Sequence, residues 1–409
     1  MLKVRHLEKK LRDISTFAKV VLVVGARQVG KSTLLRTVFP ELPHIVFDAY
    51  QDHYNVKTDP DLFLKQFNGP VILDEVQYVP ELLSAIKRKV DLSSQPGQYF
   101  LTGSQNFAVL RNLSETMAGR VAILNLHPMT LHEAFGYTGH HWLPVLLNDM
   151  DTLPAQVKGV VPTTPLWDLL WRGLMPGFFD IPNDYVQTMI DSYINTYIER
   201  DIHLLENIRD MGDFKRFVAI MAALTGQEIN NSQLGREIGI THTTAHRWKN
   251  LLEASFQSAS IRPFEANTIK QISKKRKHYM TDTGLVSTLL RLSSPQNLGV
   301  YPQTGFIFET FVVQQIIAFN SSLATPANVF HWRSKSGAEV DLILERDGIL
   351  YPIEVKMRSY VKSSDARGMR AFRETYPTLR IAKGVVIYAG ERCYWVDDET
   401  IALPFQAYV

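Results

Sequence analysis

The sequence predicts an α/β fold with a doubly wound parallel sheet, and three short apolar runs carry that prediction. Val20-Val21-Leu22-Val23-Val24 has the length and β-branching of a strand buried on both faces, and it leads directly into Gly25. Val71-Ile72-Leu73 ends in Asp74-Glu75, and Tyr99-Phe100-Leu101 ends in Thr102-Gly103-Ser104. Segments of helix length separate the three runs, as parallel strands require. A fourth run, Val121-Ala122-Ile123-Leu124, closes this first block.

The elements beyond it have other rhythms. Residues 137–182, with several prolines and tryptophans, read as irregular connections between short helices. Apolar spacing is helical over 185–200 and over 213–224, and a compact pair of helices follows around Gly239. From about Gly305 the pattern becomes a helix and then a β-hairpin. The expected division is therefore an α/β core over 1–136, a helical connector over 137–212, a helix-turn-helix region over 213–298 and a small α/β domain over 299–409. There is no internal repeat and no low-complexity segment.

Composition bounds the function classes. At about 150 residues per domain, 409 residues imply two or three folded units. With 45% hydrophobic, 21% charged and 11% aromatic residues, the chain is an ordinary globular one, neither disordered nor fibrous. No stretch approaches the roughly 20 apolar residues of a membrane helix. The opening Met1-Leu2-Lys3-Val4-Arg5-His6 is too charged for a signal peptide, so the expected compartment is the cytoplasm, with no membrane partner. One cysteine, Cys393, excludes an intrachain disulfide, and no Cys/His cluster has zinc spacing. A net charge of +3 identifies no partner.

Gly25-Ala26-Arg27-Gln28-Val29-Gly30-Lys31-Ser32, with Thr33 next, fits G-x-x-x-x-G-K-[ST] and lies between a buried strand and a helix starting near Lys31. In that setting glycines let backbone N–H groups curl around phosphate oxygens, Lys31 reaches the β- and γ-phosphates, and Ser32 ligates magnesium. The expected cofactors are ATP and Mg2+. Asp74, at the tip of the second strand, suits the magnesium through water, and Glu75 suits polarising the attacking water, a Walker B pattern. Ser104 suits orienting the γ-phosphate or the water. Arg120 suits an arginine finger, in cis or across a subunit boundary, and equally suits a solvated surface charge.

Residues 232–238, then Gly239, then 241–253 have helix-turn-helix spacing, with Thr241 as N-cap. The second helix offers His242, Thr243, Thr244, His246, Arg247 and Lys249 to phosphates or base edges, leaving Trp248, Leu251 and Leu252 for the core. Lys270, Lys274, Lys275, Arg276 and Lys277 form the densest basic cluster, on a segment expected to return as a wing. The same pattern serves a winged-helix protein-interaction domain with a solvated charge run.

Asp347-Gly348 is a hairpin signal between Glu339-Val340-Asp341-Leu342-Ile343-Leu344 and Tyr351-Pro352-Ile353-Glu354-Val355-Lys356. With those two residues as the turn, Asp341 faces Glu354 and Glu339 faces Lys356, all on one side, while Val340, Leu342, Leu344, Ile353 and Val355 point to a core. Two opposed carboxylates repel unless a cation lies between them, so Asp341 and Glu354 form a candidate magnesium pair, with Lys356 beside the water and Glu309 as a further acid. A solvated face with a Glu339–Lys356 ion pair fits the same pattern.

Taken in order, GARQVGKSTLL, VILDEVQ, LTGSQ, MAGR, the helix-turn-helix, HYMTDTGL around Asp282, HWRSKSGAEVDLIL and PIEVK resemble a family of bacterial and archaeal AAA-type ATPases. In that family a P-loop NTPase domain is joined to a winged helix and a C-terminal PD-(D/E)XK nuclease-like domain. The resemblance covers most of the chain and implies an AAA-type P-loop sheet, a helical winged-helix domain and a small restriction-endonuclease-like α/β domain. It implies ATP-dependent action on DNA, with Lys31, Ser32, Asp74 and Glu75 as the ATPase set and Asp341, Glu354 and Lys356 matching the nuclease signature. Val340 stands where that signature has proline. The expected activity is ATP hydrolysis coupled to binding and remodelling DNA or moving along it, with metal-dependent cleavage as an addition. A homo-oligomer, ring or dimer, follows if Arg120 works in trans. The rival reading is a nucleotide-switched signalling or scaffold ATPase with a protein partner.

Overall fold

The computed structural model describes residues 3–409 apart from 49–53, 104–116, 118, 138–139, 158, 161–163, 198–207, 209 and 268–273. The chain packs as two compact units, the first of residues 1–128, 196–208 and 250–257, the second of residues 129–195, 209–249 and 258–409.

The first unit is built on a parallel sheet of β1 (Val20–Val24), β2 (His44–Val46), β3 (Val71–Asp74), β4 (Tyr99–Gly103) and β5 (Val121–Asn125), in the order β2-β3-β4-β1-β5. All five residues of β1 are fully buried, as a continuous β-branched run in a central strand demands. Helices Lys31–Val38 and Glu81–Leu92 bury Leu34, Leu35 and Val38, and Leu82, Leu83, Ala85, Ile86 and Val90. Each such Leu, Ile or Val contributes roughly 1.5–3 kcal/mol. Register fixes the working edge, because Val24 lies level with Gly103 and Asn125, and Leu73 with Leu101. Gly25 and Asp74 therefore emerge at the same end of the sheet.

Among the described residues, the second unit holds ten strands in one sheet. They are β7 (Gln227–Glu228), β8 (Ser258–Pro263), β9 (Lys277–Met280), β10 (Asn328–Arg333), β11 (Glu339–Arg346), β12 (Ile349–Lys356), β13 (Arg380–Ile381), β14 (Gly384–Tyr388), β15 (Tyr394–Asp397) and β16 (Thr400–Pro404). Their order is β15-β16-β14-β12-β11-β10-β8-β9-β7, with β13 on β12. Two short strands, β6 (Gly159–Val160) and β17 (Ala407–Tyr408), pair separately. β8 meets β9 antiparallel on one side and β10 in parallel on the other, through Phe330 with Arg262 and His331 with Pro263. The expected boundary at 298/299 thus falls within a unit whose sheet is continuous across it.

The hairpin forms in the expected register, from Arg346 against Ile349 to Leu342 against Ile353. Asp347 and Gly348 both have positive φ, 55° and 74°, as a two-residue turn matching strand twist requires. The exposure of its polar side differs from expectation. Helix Arg367–Thr375 lies over it, and Gly368 comes so close that a Cβ there would sit 1.8 Å from the Glu339 carbonyl and 2.5 Å from Glu354 Oε1. Met369 and Phe372 from this helix join Ile343, Leu350, Val386 and Tyr388 in one core cluster. Asp341 and Glu354 are consequently buried rather than solvated.

The helix-turn-helix is where the spacing placed it. Asn230 caps helix Asn231–Ile238, Gly239 closes it at φ 86°, and the Thr241 hydroxyl accepts from the Thr244 amide to start helix His242–Ala254. Trp248 packs edge-on against Phe214 and Phe217 of helix Met211–Ala223.

Candidate functional site

The phosphate loop is held from several sides. A Cβ on Gly25 would stand 2.2 Å from the Leu126 carbonyl oxygen, so no side chain fits there. Gln28 and Gly30 take left-handed backbones, φ 62° and 93°, which curl the loop into the helix beginning at Lys31. The Arg5 guanidinium donates to the Val29 carbonyl at 2.7 Å and to the His127 carbonyl at 2.6 Å, tying the loop to the segment after β5. Arg27 donates to the Tyr78 hydroxyl at 3.0 Å. Lys31 is buried, and its ammonium donates to the carbonyls of Gly25 at 3.1 Å and Ala26 at 2.9 Å, at the mouth of the loop. Ala26 and Val29 are buried, Ser32 half-buried and Thr33 exposed.

Asp74 and Glu75 are joined through Thr102. The Thr102 hydroxyl donates to Asp74 Oδ1 and accepts from the Glu75 amide at 2.9 Å. Asp74 Oδ2 lies 3.1 Å from His44 Nε2. Glu75 holds a left-handed backbone, φ 58°, and accepts from Gln77 at its carboxylate. For a non-glycine residue that strain is about 1–3 kcal/mol and persists only where the surroundings enforce it. A glycine-built loop, a buried lysine at its mouth and a carboxylate pair at the same sheet edge fit a nucleoside triphosphate. Ser104 lies outside the described residues.

Arg120 departs from the cis reading. Val121, the residue after it, is level with Val20, whereas the loop follows Val24. Four residues of strand, about 13 Å, separate the two edges. Arg120 pairs instead with Asp91 at the end of helix Glu81–Leu92.

On the second helix of the helix-turn-helix, His242, Thr243, His246 and Arg247 are exposed and share one face, and Thr244 is half-buried. Lys249, one turn beyond His246, is buried rather than exposed with them. Lys275 and Arg276 are exposed, and Lys274 is exposed while pairing with Glu265. Lys270 lies outside the described residues. Lys277 corrects the basic-cluster reading. It is the first residue of β9, where strand alternation turns its side chain inward, and its ammonium lies 2.6 Å from Glu309 Oε1 and 3.1 Å from Asp341 Oδ1.

Of the C-terminal signature residues, Asp341 meets that ammonium, and Glu354 and Lys356 lie beside Asp341. Lys356 Nζ lies 3.0 Å from Glu354 Oε2 and 3.9 Å from Asp341 Oδ2. Asp341 Oδ2 accepts from the Val355 amide at 2.9 Å, and Glu309 Oε1 from the Tyr279 hydroxyl at 2.6 Å. Burial, then the charge of Asp341, push Glu309 up to about 7 and Glu354 well above the ordinary carboxylate range. Burial works the same way on Asp341, but Lys277 and Lys356 outweigh it and hold this acid below the ordinary value. Burial also opposes the Lys277 charge, and Glu309, Tyr279 and Asp341 overcome it, so the ammonium is held well above the usual lysine range. Glu339 is ion-paired with Arg333 at 3.7 Å instead of Lys356, which lies on Glu354 and Asp341. A divalent metal does not fit this arrangement, since Asp341 and Glu354 hydrogen-bond directly to each other and Lys277 fills the gap between Glu309 and Asp341.

Two residues that shape the phosphate site had no legible signal of their own: Thr102 sits in an ordinary strand end, and Arg5 acts across 24 positions of sequence. Lys277 was legible as a basic residue but not as the partner of Asp341, 64 positions away.

Residues 18–135 match the family described as an AAA domain. Residues 163–296 match a domain of unknown function, DUF8612, and residues 304–408 a second one, DUF4143. Over 401 residues the chain is 29% identical to an uncharacterised protein of Mycobacterium tuberculosis, a match covering 98% of this chain and 83% of that one. Among solved structures, a Walker-type ATPase of Pyrococcus abyssi aligns at 16% identity and a TM-score of 0.45, over 71% of this chain and 96% of that one. The Holliday junction branch migration motor of Thermotoga maritima aligns at 16% identity and a TM-score of 0.30, over 63% of this chain and 89% of its own.

Proposed function

We propose that this AAA-type P-loop ATPase hydrolyses ATP with magnesium and couples hydrolysis to binding and remodelling DNA, or to moving along it. The observation that carries the reading is the pairing, in one chain, of the Gly25–Lys31 loop and Asp74-Glu75 with an exposed basic face. Its residues are Arg247, with His242, Thr243 and His246 on the same helix face, and the exposed Lys275 and Arg276 just before β9. A helix, short strand, helix, turn, helix and antiparallel hairpin is the arrangement of a winged helix, a common DNA-binding form. In the ATPase site, Lys31 draws the β- and γ-phosphates into the loop, Ser32 and Asp74 hold the magnesium, and Glu75 orients the attacking water. Magnesium supplies charge neutralisation on the phosphates. Arg120 faces away from its own loop, so a finger role for it requires a second copy, in a ring or a dimer.

The deciding experiment is steady-state phosphate release with magnesium, alone and with linear duplex, single-stranded and four-way-junction DNA, using Lys31→Ala as the blank. Stimulation by one form supports the coupling and names the substrate. Hydrolysis indifferent to every form, together with no DNA affinity at low salt, overturns the DNA reading and leaves a nucleotide-switched scaffold.

A further inference from the structure

The carboxylates that match a nuclease signature already hold a cation of the protein's own. Glu309 comes from helix Thr304–Ser322, Asp341 from β11 and Glu354 from β12, whereas Lys277 comes from β9, more than sixty positions before Asp341. Its ammonium is within hydrogen-bond distance of both Glu309 and Asp341. Magnesium sits about 2.1 Å from its oxygen ligands and brings several waters with it. An ammonium 2.6 and 3.1 Å from Glu309 and Asp341 leaves no room for it between those two acids, and Asp341 and Glu354 are hydrogen-bonded directly to each other.

The surrounding polar atoms are committed in the same sense. Tyr279 donates to Glu309, the Val355 amide to Asp341, and Lys356 to Glu354. Three carboxyl groups face two ammonium groups, so a further dication would leave the pocket with excess positive charge in a place sheltered from water. Among the described residues no group of three or more His, Cys, Asp or Glu is arranged to hold a metal ion.

Lys277 is also not free to swing away. Its backbone pairs with Ile261 on β8 and Glu228 on β7, and the whole residue is only 5% exposed. The four-carbon stem is packed along its length, so withdrawing the ammonium means opening the sheet edge.

We propose that Lys277 is the resident cation of the Glu309 and Asp341 pair, a fixed internal counter-ion occupying acids that a nuclease would offer to a divalent metal. The C-terminal domain then engages its ligands without metal-dependent cleavage, whatever the partner of the basic helix. Removing the ammonium turns the cluster into a divalent cation site.

The test uses the full chain without nucleotide and Mn2+ as the probe, followed by electron paramagnetic resonance. Asp341→Asn provides the reference that subtracts any Mn2+ held elsewhere. The expected result is no Asp341-dependent Mn2+ in the wild type and one such ion per chain in Lys277→Met, absent from Lys277→Met/Asp341→Asn. Asp341-dependent Mn2+ in the wild type, with or without added DNA, overturns the proposal. So does a folded Lys277→Met that takes up none. If Lys277→Met folds only when Mn2+ is supplied, that rescue is the exchange of one cation for another; a variant unfolded with and without Mn2+ overturns it.

Discussion

The Thr102 hydroxyl, at the end of β4, donates to the carboxylate of Asp74 at the end of β3. The same oxygen accepts from the Glu75 amide, so one side chain on the intervening strand sets both acids of the ATPase site. Thr102→Val keeps the shape and removes the hydroxyl. It leaves a buried carboxylate oxygen and a backbone amide without this partner, at a cost of about 1–3 kcal/mol in stability. We expect kcat for ATP to fall by about tenfold or more, while Thr102→Ser retains most of it. Urea unfolding and phosphate release on the three proteins check this, and an unaltered kcat in Thr102→Val would refute the positioning role.

Gly25 tests the loop itself. In Gly25→Ala the added methyl meets the Leu126 carbonyl, which β1 and β5 hold in place, so the loop must move. Nucleotide affinity should drop by about tenfold or more, equivalent to roughly 1.4 kcal/mol. Titration with a fluorescent ATP analogue reads this directly, and an unchanged affinity means the loop has slack that the geometry denies.

How much of this was legible depends on how far apart the interacting residues lie. The phosphate loop, the Asp347-Gly348 turn and the Thr241 cap are contiguous patterns, and each formed where its spacing placed it. The burial of Asp341 and Glu354 was not legible, because strand alternation identifies a face but not what lies on it. Here helix Arg367–Thr375 does, and its close approach depends on Gly368. Lys277 misled for a related reason. It ends a run of exposed basic residues, and only the pairing of β9 with β8 and β7 turns it inward.

The basic helix makes a prediction about salt. Arg247→Ala and Arg276→Ala should each weaken DNA binding and reduce the steepness of its salt dependence by about 0.9 in the log–log slope, if each contacts one phosphate. Lys249→Ala, which changes a buried side chain, should leave that slope unchanged. Fluorescence anisotropy across a salt series distinguishes the three, and equal slopes in all would place the interface elsewhere.

Asp282 makes a prediction about pH. It caps helix Thr283–Leu289 and accepts from the amides of Leu174, Gly284 and Leu285, yet burial outweighs these and raises its pKa from the ordinary 3.8 to about 6. A carboxyl raised on folding stabilises the fold below its unfolded value, and that contribution is lost as pH rises through about 6. Two units correspond to about 3 kcal/mol. Relative to Asp282→Asn, wild-type stability should therefore decline by about that amount between pH 4 and pH 7. Urea unfolding across this range measures it, and parallel curves for the two proteins would contradict the assignment.

β8 belongs to two neighbours at once, β9 of the hairpin and β10 of the C-terminal sheet. Mechanically, the hairpin is a plank let into a larger floor rather than a flap on a hinge. A pull along β8 loads its bonds to β10 in shear, so the Arg262 and Pro263 contacts must fail together instead of opening like a zipper. The basic helix ends at Ala254, and the single short turn at 255–257 is all that separates it from β8, so tension gathered there has little slack to take up before it reaches the plane of the sheet.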